Sequence, residues 1–176
     1  MTKKRLTGSR TWSPGLHTWG RSLPGLLILG LLSAIVLKIF IHRRKMNIAN
    51  ETANIIYPLL LGAGFDSNQA KYILAQSAHE TANFTSSIFK SNNNLFGMKH
   101  AGQRLSLGEK NGYADYKDIQ TSVLDYAVYY AKHKYLRLYL SIDTFVQALK
   151  NHGYFEALTA EYLKGVRHFY NLYFGG

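Results

Sequence analysis

The chain has 176 residues, a formal net charge of +11 and no cysteine, which excludes disulfides and thiolate metal sites. The charge is unevenly placed: residues 1–45 carry nine of the 21 Lys and Arg and no acid, leaving twelve basic against ten acidic side chains beyond them. A nucleic-acid-binding domain needs its positive charge on a folded face, so that class of partner is set aside.

Residues 1–22 are basic, contain Gly, Ser and Pro, and show no hydrophobic period, which predicts a disordered tail. Leu23 to Ile41, LPGLLILGLLSAIVLKIFI, is 19 residues long with one charge, Lys38. As a helix it would extend ~28 Å, close to the ~30 Å core of a bilayer. Lys38 could snorkel toward His42-Arg43-Arg44-Lys45, and Trp12 and Trp19 suit the other flank. The run is longer than the ~7–15 residues of a signal-peptide core and lacks a small-residue cleavage site. The expectation is therefore one N-terminal transmembrane helix over 23–41, in contact with lipid, with its orientation left open. A basic linker at 42–49 would join it to a domain over 50–176.

Within that domain, Asn47 to Ala63 reads as a helix with Ile55, Ile56, Leu59 and Leu60 on its apolar side, ending near Gly62 and Gly64. Pro58 predicts a kink or a later true start. Asp66-Ser67-Asn68-Gln69 forms a capping box, followed by Ala70, Ile73, Leu74, Ser77, Ala78 and Thr81 at helical spacing. That narrow, small-residue face invites close packing, and Glu80 falls in the last turn. Glycines at 97, 102, 108 and 112 break up the next stretch, and Asn111-Gly112 predicts a hairpin. From Asp118 a helical stripe returns with Val123, Leu124, Ala127, Val128 and Ala131, and Tyr126, Tyr129 and Tyr130 beside it as core and groove wall. Ser141 caps a helix from Ile142 to His152, ended by Gly153, and a last helix runs from about Thr159 to Tyr173.

A glycosidase needs a carboxylic acid kept protonated near neutral pH to donate to the leaving oxygen. Glu80 suits that task, because the partial negative charge of a helix C-terminus and close packing both disfavour its ionised form. Asn92-Asn93-Asn94 offers amides for hydroxyl and acetamido groups, and Phe96 and the tyrosines offer flat faces for sugar rings. Taken alone, a glutamate at a helix end is an ordinary solvent-facing side chain. His79 points roughly 100° away from Glu80 on a helix and reads as structural. The other histidines show no metal-ligand spacing, and neither metal nor cofactor is implied.

The ordered motifs decide between these readings. QSAHETANF followed by SNNNLFGMK resembles the A-x-x-E-S-x-x-G and N-N-L-F-G-I-K elements of the glucosaminidase family of flagellar and autolysin peptidoglycan hydrolases (glycoside hydrolase family seventy-three). Tyr113-Ala114-Asp115-Tyr116, Ser122 to Tyr126, Ala148 to Tyr154 and the closing Tyr162 to Leu172 resemble its later segments in the same order. The chain departs from the pattern where the family has Ser-Gly-Trp-Gly after the glutamate and Thr-Asp-Pro after Gly-Tyr. Here those places hold Thr81-Ala82-Asn83-Phe84 and Glu156-Ala157-Leu158.

The resemblance implies a mainly α, lysozyme-like helical domain with a small β-hairpin lobe, and a peptidoglycan substrate cut at a β-1,4 bond. It makes Glu80 the general acid. Asn93, Asn94 and Phe96 would line the cleft, Phe96 more by packing than by touching sugar. Tyr116 would sit beside the reacting sugar, and Tyr154 would contact substrate. The second carboxylate is assigned to Glu109, with Asp115 and Asp118 as the other candidates and Asp118 equally an N-cap. The expected location is a membrane with the domain facing the cell wall, in a bacterial envelope or inside a phage virion. The alternatives are an inactive wall-binding module, and muramidase or transglycosylase specificity.

Overall fold

The computed structural model describes residues 23–132 and 139–175, with side chains from Leu31 onward; the tail expected at 1–22 lies outside them. The chain divides into two compact units, residues 1–41 and 42–176. Helix α1 is continuous over Leu23–Gly62, so the expected linker at 42–49 is helical, and Pro58 sits within the helix instead of starting it. In the first unit the side chains of residues 31–41 are all exposed. Among the described residues no helix is long and apolar enough to cross a membrane. The expectation of a spanning helix over Leu23 to Ile41 is not met within them, and its first eight residues have side chains outside the described set.

In the second unit α1 buries Ala49, Ala53, Ile56 and Leu60, spaced by four, three and four residues as one helix face requires. Ile55, expected on that face, is exposed instead. Helix α2 (Ser67–Glu80) starts at the predicted box: Asp66 accepts from the backbone N–H of Asn68 and Gln69, and the Gln69 side chain accepts from Asp66 N–H. Every residue from Tyr72 to Ala78 is buried, so α2 is a central helix covered on all sides, more than the one narrow face predicted. Alanine and serine at 70, 75, 77 and 78 let neighbours approach that closely.

Helix α6 (Thr159–Phe174) packs along α2, and α5 (Ile142–Asn151) packs on α6. The two helices are tight at Gly165, where an added Cβ would lie 2.3 Å from a His79 ring carbon. Replacing a mid-helix glycine by alanine ordinarily stabilises by about 1 kcal/mol. Here His79 is wedged between Tyr162 (ring centroids 4.8 Å apart) and Phe169 (6.4 Å) and has little room to yield. Gly165→Ala should therefore destabilise, by about 1–3 kcal/mol, which a denaturant melt of the variant checks.

Helix α4 (Ile119–Lys132) follows an Asp118 carboxylate that accepts from the Thr121 N–H and hydroxyl, each at 2.7 Å. Asp118 is thus the cap. The buried face of α4 is Ser122, Val123, Asp125, Tyr126 and Tyr130, not the apolar stripe expected, and Leu124 is exposed. The two polar residues are buried because loops need them: Ser122 Oγ accepts from Leu95 N–H, and Asp125 accepts from Leu105 N–H and the Tyr116 hydroxyl.

The hairpin forms at the expected turn. Strands β1 (Gly108–Lys110) and β2 (Tyr113–Asp115) are antiparallel, with Glu109 opposite Ala114. Asn111 and Gly112 take φ of 56° and 76°, the pair of left-handed residues that a tight two-residue hairpin turn requires. A six-residue helix, α3 (Ser87–Asn92), was not visible in the sequence because it is too short to show a period.

Candidate active site

Glu80 is the last residue of α2. The backbone beyond it turns through three left-handed residues, Ala82, Asn83 and Phe84, with φ of 49°, 58° and 61°. Two of these stand where the resembled pattern has glycine, so this chain holds by packing a conformation that costs an L-residue about 1–2 kcal/mol. Phe84 is buried, Thr81 Oγ accepts from its N–H, and Asn83 Oδ1 accepts from the Tyr173 hydroxyl.

The Glu80 carboxyl meets α6. The Tyr162 hydroxyl donates to Glu80 Oε1 at 2.5 Å. Burial pushes the Glu80 pKa up from its ordinary value, and the Tyr162 hydrogen bond, which favours the carboxylate, offsets part of that rise. Tyr162 is itself held far above the usual tyrosine range by burial and by the Glu80 charge, so it stays a neutral donor. His79 is pushed down by burial and serves as a neutral ring packed on Tyr162. Removing the hydroxyl leaves burial unopposed. Tyr162→Phe should move the alkaline limb of the pH–activity profile to higher pH and cut kcat about tenfold, since the acid loses its orienting partner. Initial rates over a pH series check both.

Two segments wall a cleft of about 420 Å³ above this carboxyl. One is the turn over Phe96 to Lys99. Gly97 there has φ 61°, and a Cβ on it would lie 3.3 Å from Glu80 Oε2, so the backbone approaches the acid as closely as a glycine permits. The other is the strap over Gly153 to Ala157. The Tyr154 hydroxyl reaches across to donate to the Phe96 carbonyl at 2.5 Å, tying strap to turn. Phe155 stacks on Tyr162 at 3.8 Å with the rings 3° from parallel. Among the described residues no group of three His, Asp or Glu side chains could hold a metal ion.

Residues 64–173 match the model of the glucosaminidase family, described as mannosyl-glycoprotein endo-beta-N-acetylglucosaminidase. The chain belongs to the glucosaminidase family. It is a glycoside hydrolase that acts on peptidoglycan. No curated protein matches the glucosaminidase. Among solved structures, a chain of the "type VI secretion system effector-immunity complex from Pseudomonas protegens" is similar to it at 20% identity and a TM-score of 0.55. The match covers 72% of this glucosaminidase and 93% of that chain, and bears on the fold alone. A mainly helical body with one two-stranded hairpin is consistent with a lysozyme-like fold.

Of the residues expected at the site, the glucosaminidase brings Glu80, Phe96 and Tyr154 to the cleft. Phe96 contributes backbone more than ring, because its side chain is 1% exposed and stacks on Tyr126 at 4.0 Å. Four others are elsewhere. Asn94 is 1% exposed and spends its amide on the chain: it donates to the Met98 and Ala114 carbonyls and accepts from the Phe96 and Met98 N–H groups. Asn93 donates to the Tyr116 and Lys117 carbonyls. Tyr116 is buried with its hydroxyl on Asp125. These three serve as scaffold: the two amides are spent on backbone groups and the Tyr116 hydroxyl on the Asp125 carboxylate. Glu109 is exposed on β1 and does not line the cleft.

Sequence reasoning missed Tyr162 as the partner of Glu80, and also Lys99, Phe155 and Glu156 as cleft residues. Tyr162 was visible only as the start of a closing helix; nothing in one dimension places it against a residue 82 positions earlier.

Proposed function

We propose that the enzyme cleaves the β-1,4 bond on the reducing side of N-acetylglucosamine in the glycan strand, with Glu80 as general acid. The observation that carries this is the half-buried, tyrosine-held Glu80 carboxyl at the base of an open cleft walled by turn and strap. Burial pushes the Glu80 pKa up and so favours the neutral form, the one that can donate to the leaving oxygen. Mass spectra of digested purified peptidoglycan test the reading. Fragments ending in reducing N-acetylglucosamine are expected; reducing N-acetylmuramic acid or anhydro ends would overturn the bond assignment.

The same proposal has the apolar stretch Leu23 to Ile41 holding the enzyme at a bilayer, with the catalytic domain toward the wall. Support comes from the exposure of Leu31, Val36, Leu37 and Phe40 on that part of the helix, and from Arg43-Arg44-Lys45 beside it. Such an anchored hydrolase suits a bacterial envelope or a phage virion membrane. Flotation of the full chain with anionic vesicles is expected, and recovery in the lipid-free fraction would remove the anchor from the account.

A further inference from the structure

We propose that Glu156 is the second carboxylate of the cleft and acts as the base that activates the attacking water. This rests on the glycosidase reading of the same cleft. Glu80 and Glu156 are the two acidic residues that line it. The other acids offered by the sequence are committed or remote. Asp118 caps α4, Asp125 holds Tyr116 and Leu105, Asp115 lies 4.0 Å from Lys110 Nζ, and Glu109 stands exposed on β1.

The backbone of the strap that carries Glu156 is held in place. Lys150 Nζ, from the last turn of α5, donates to three successive carbonyls, those of Phe155 (3.4 Å), Glu156 (2.9 Å) and Ala157 (2.9 Å). An ammonium with three donors on consecutive carbonyls fixes the strap without touching the Glu156 carboxylate. Gly153, with φ 70°, makes the turn out of α5. Phe155, the residue before Glu156, stacks on Tyr162, and Tyr162 holds Glu80. The strap that carries Glu156 is therefore tied to the Glu80 carboxyl through one stacked ring pair and one hydrogen bond. The two carboxylates also differ as an acid and base pair should: Glu80 is half-buried against α6, and Glu156 is exposed on the rim where water has access.

In the step this geometry supports, Glu156 takes a proton from a water whose oxygen forms the new bond to the anomeric carbon. The bond from that carbon to the glycosidic oxygen breaks, its electron pair leaves with the oxygen, and Glu80 delivers its proton there. One water is consumed, and proton exchange with solvent returns both carboxyls to their starting forms. Attack from the face opposite the leaving group inverts the anomeric centre.

The test uses the full chain with Glu156→Gln and Glu156→Ala on purified glycan strands. Both variants should fold as the parent does, because the side chain is exposed, and kcat should fall about 10²–10³-fold with KM little changed. Added azide, which attacks without needing a base, should restore bond cleavage in Glu156→Ala and yield an α-glycosyl azide. Rates within about threefold of the parent, or a loss that azide leaves unrepaired, would overturn the assignment. So would a β-configured fresh product from the parent, or Glu109→Gln showing the larger loss. Glu80→Gln run alongside separates the two levels. If it is dead while the Glu156 variants work, only the base is wrong; if it too is active, the general-acid reading goes as well.

Discussion

Glu80→Gln should lower kcat for glycan cleavage by about 10³-fold or more, the largest effect of any single substitution on activity. The amide keeps the shape of the carboxyl and can still accept from the Tyr162 hydroxyl, but it has no proton to give. Substrate binding should survive, so the loss falls on kcat. The same change has a second consequence with a definite sign. The folded-state pKa of Glu80 is raised by burial above its unfolded value. Its contribution to stability is thus fully present at acidic pH and is lost as pH rises through the folded pKa. Glutamine never charges and avoids that loss. The variant should be more stable than the parent at neutral pH, and the difference should vanish in acid. Thermal melts at both pH values check this, and a variant less stable than the parent at neutral pH would mean the carboxylate is comfortable where it sits.

The largest expected effect on stability is at Asn94, although it contacts no sugar. Its side chain makes four hydrogen bonds, to the carbonyls of Met98 and Ala114 (both 2.9 Å) and from the N–H groups of Phe96 (3.3 Å) and Met98 (3.0 Å). Asn94→Ala leaves the two N–H groups buried without their acceptor, at about 1–3 kcal/mol each. It also cuts one tie between the turn and β2, which Asn92 partly duplicates by donating to the Lys110 and Ala114 carbonyls. About 3 kcal/mol of destabilisation is expected from urea unfolding. Activity should fall too, because the loosened turn carries Gly97 against the Glu80 carboxyl. If Asn94 were a sugar ligand on a sound scaffold, the variant would instead raise KM and leave the melt unchanged.

That contrast shows what the sequence could and could not convey. Local signals were readable: the Asp66–Gln69 box, the Asn111-Gly112 turn, the Ser141 cap and the glutamate at a helix end all stand where they were expected. What failed needed three dimensions. The motif residues Asn93, Asn94 and Tyr116 look like sugar ligands because they are polar and clustered. Asn93 and Asn94 donate to backbone carbonyls up to 24 positions away and the Tyr116 hydroxyl donates to the Asp125 carboxylate, partners that spacing cannot reveal. Buried Ser122 and Asp125 were read past for the same reason, in favour of an apolar stripe whose Leu124 faces solvent. Conversely, Glu156 sat in a stretch that departs from the resembled pattern, so motif matching passed over it, while the folded strap brings it to the cleft.

The whole account depends on one proton resting on Glu80 near neutral pH, and carboxyl-carbon NMR can watch it directly. In protein labelled at glutamate, the Glu80 signal is the one absent from Glu80→Gln. Its titration midpoint should lie above the ordinary glutamate range and move higher still in Tyr162→Phe. A midpoint at or below the ordinary range, unmoved by loss of the Tyr162 hydroxyl, would contradict the central claim.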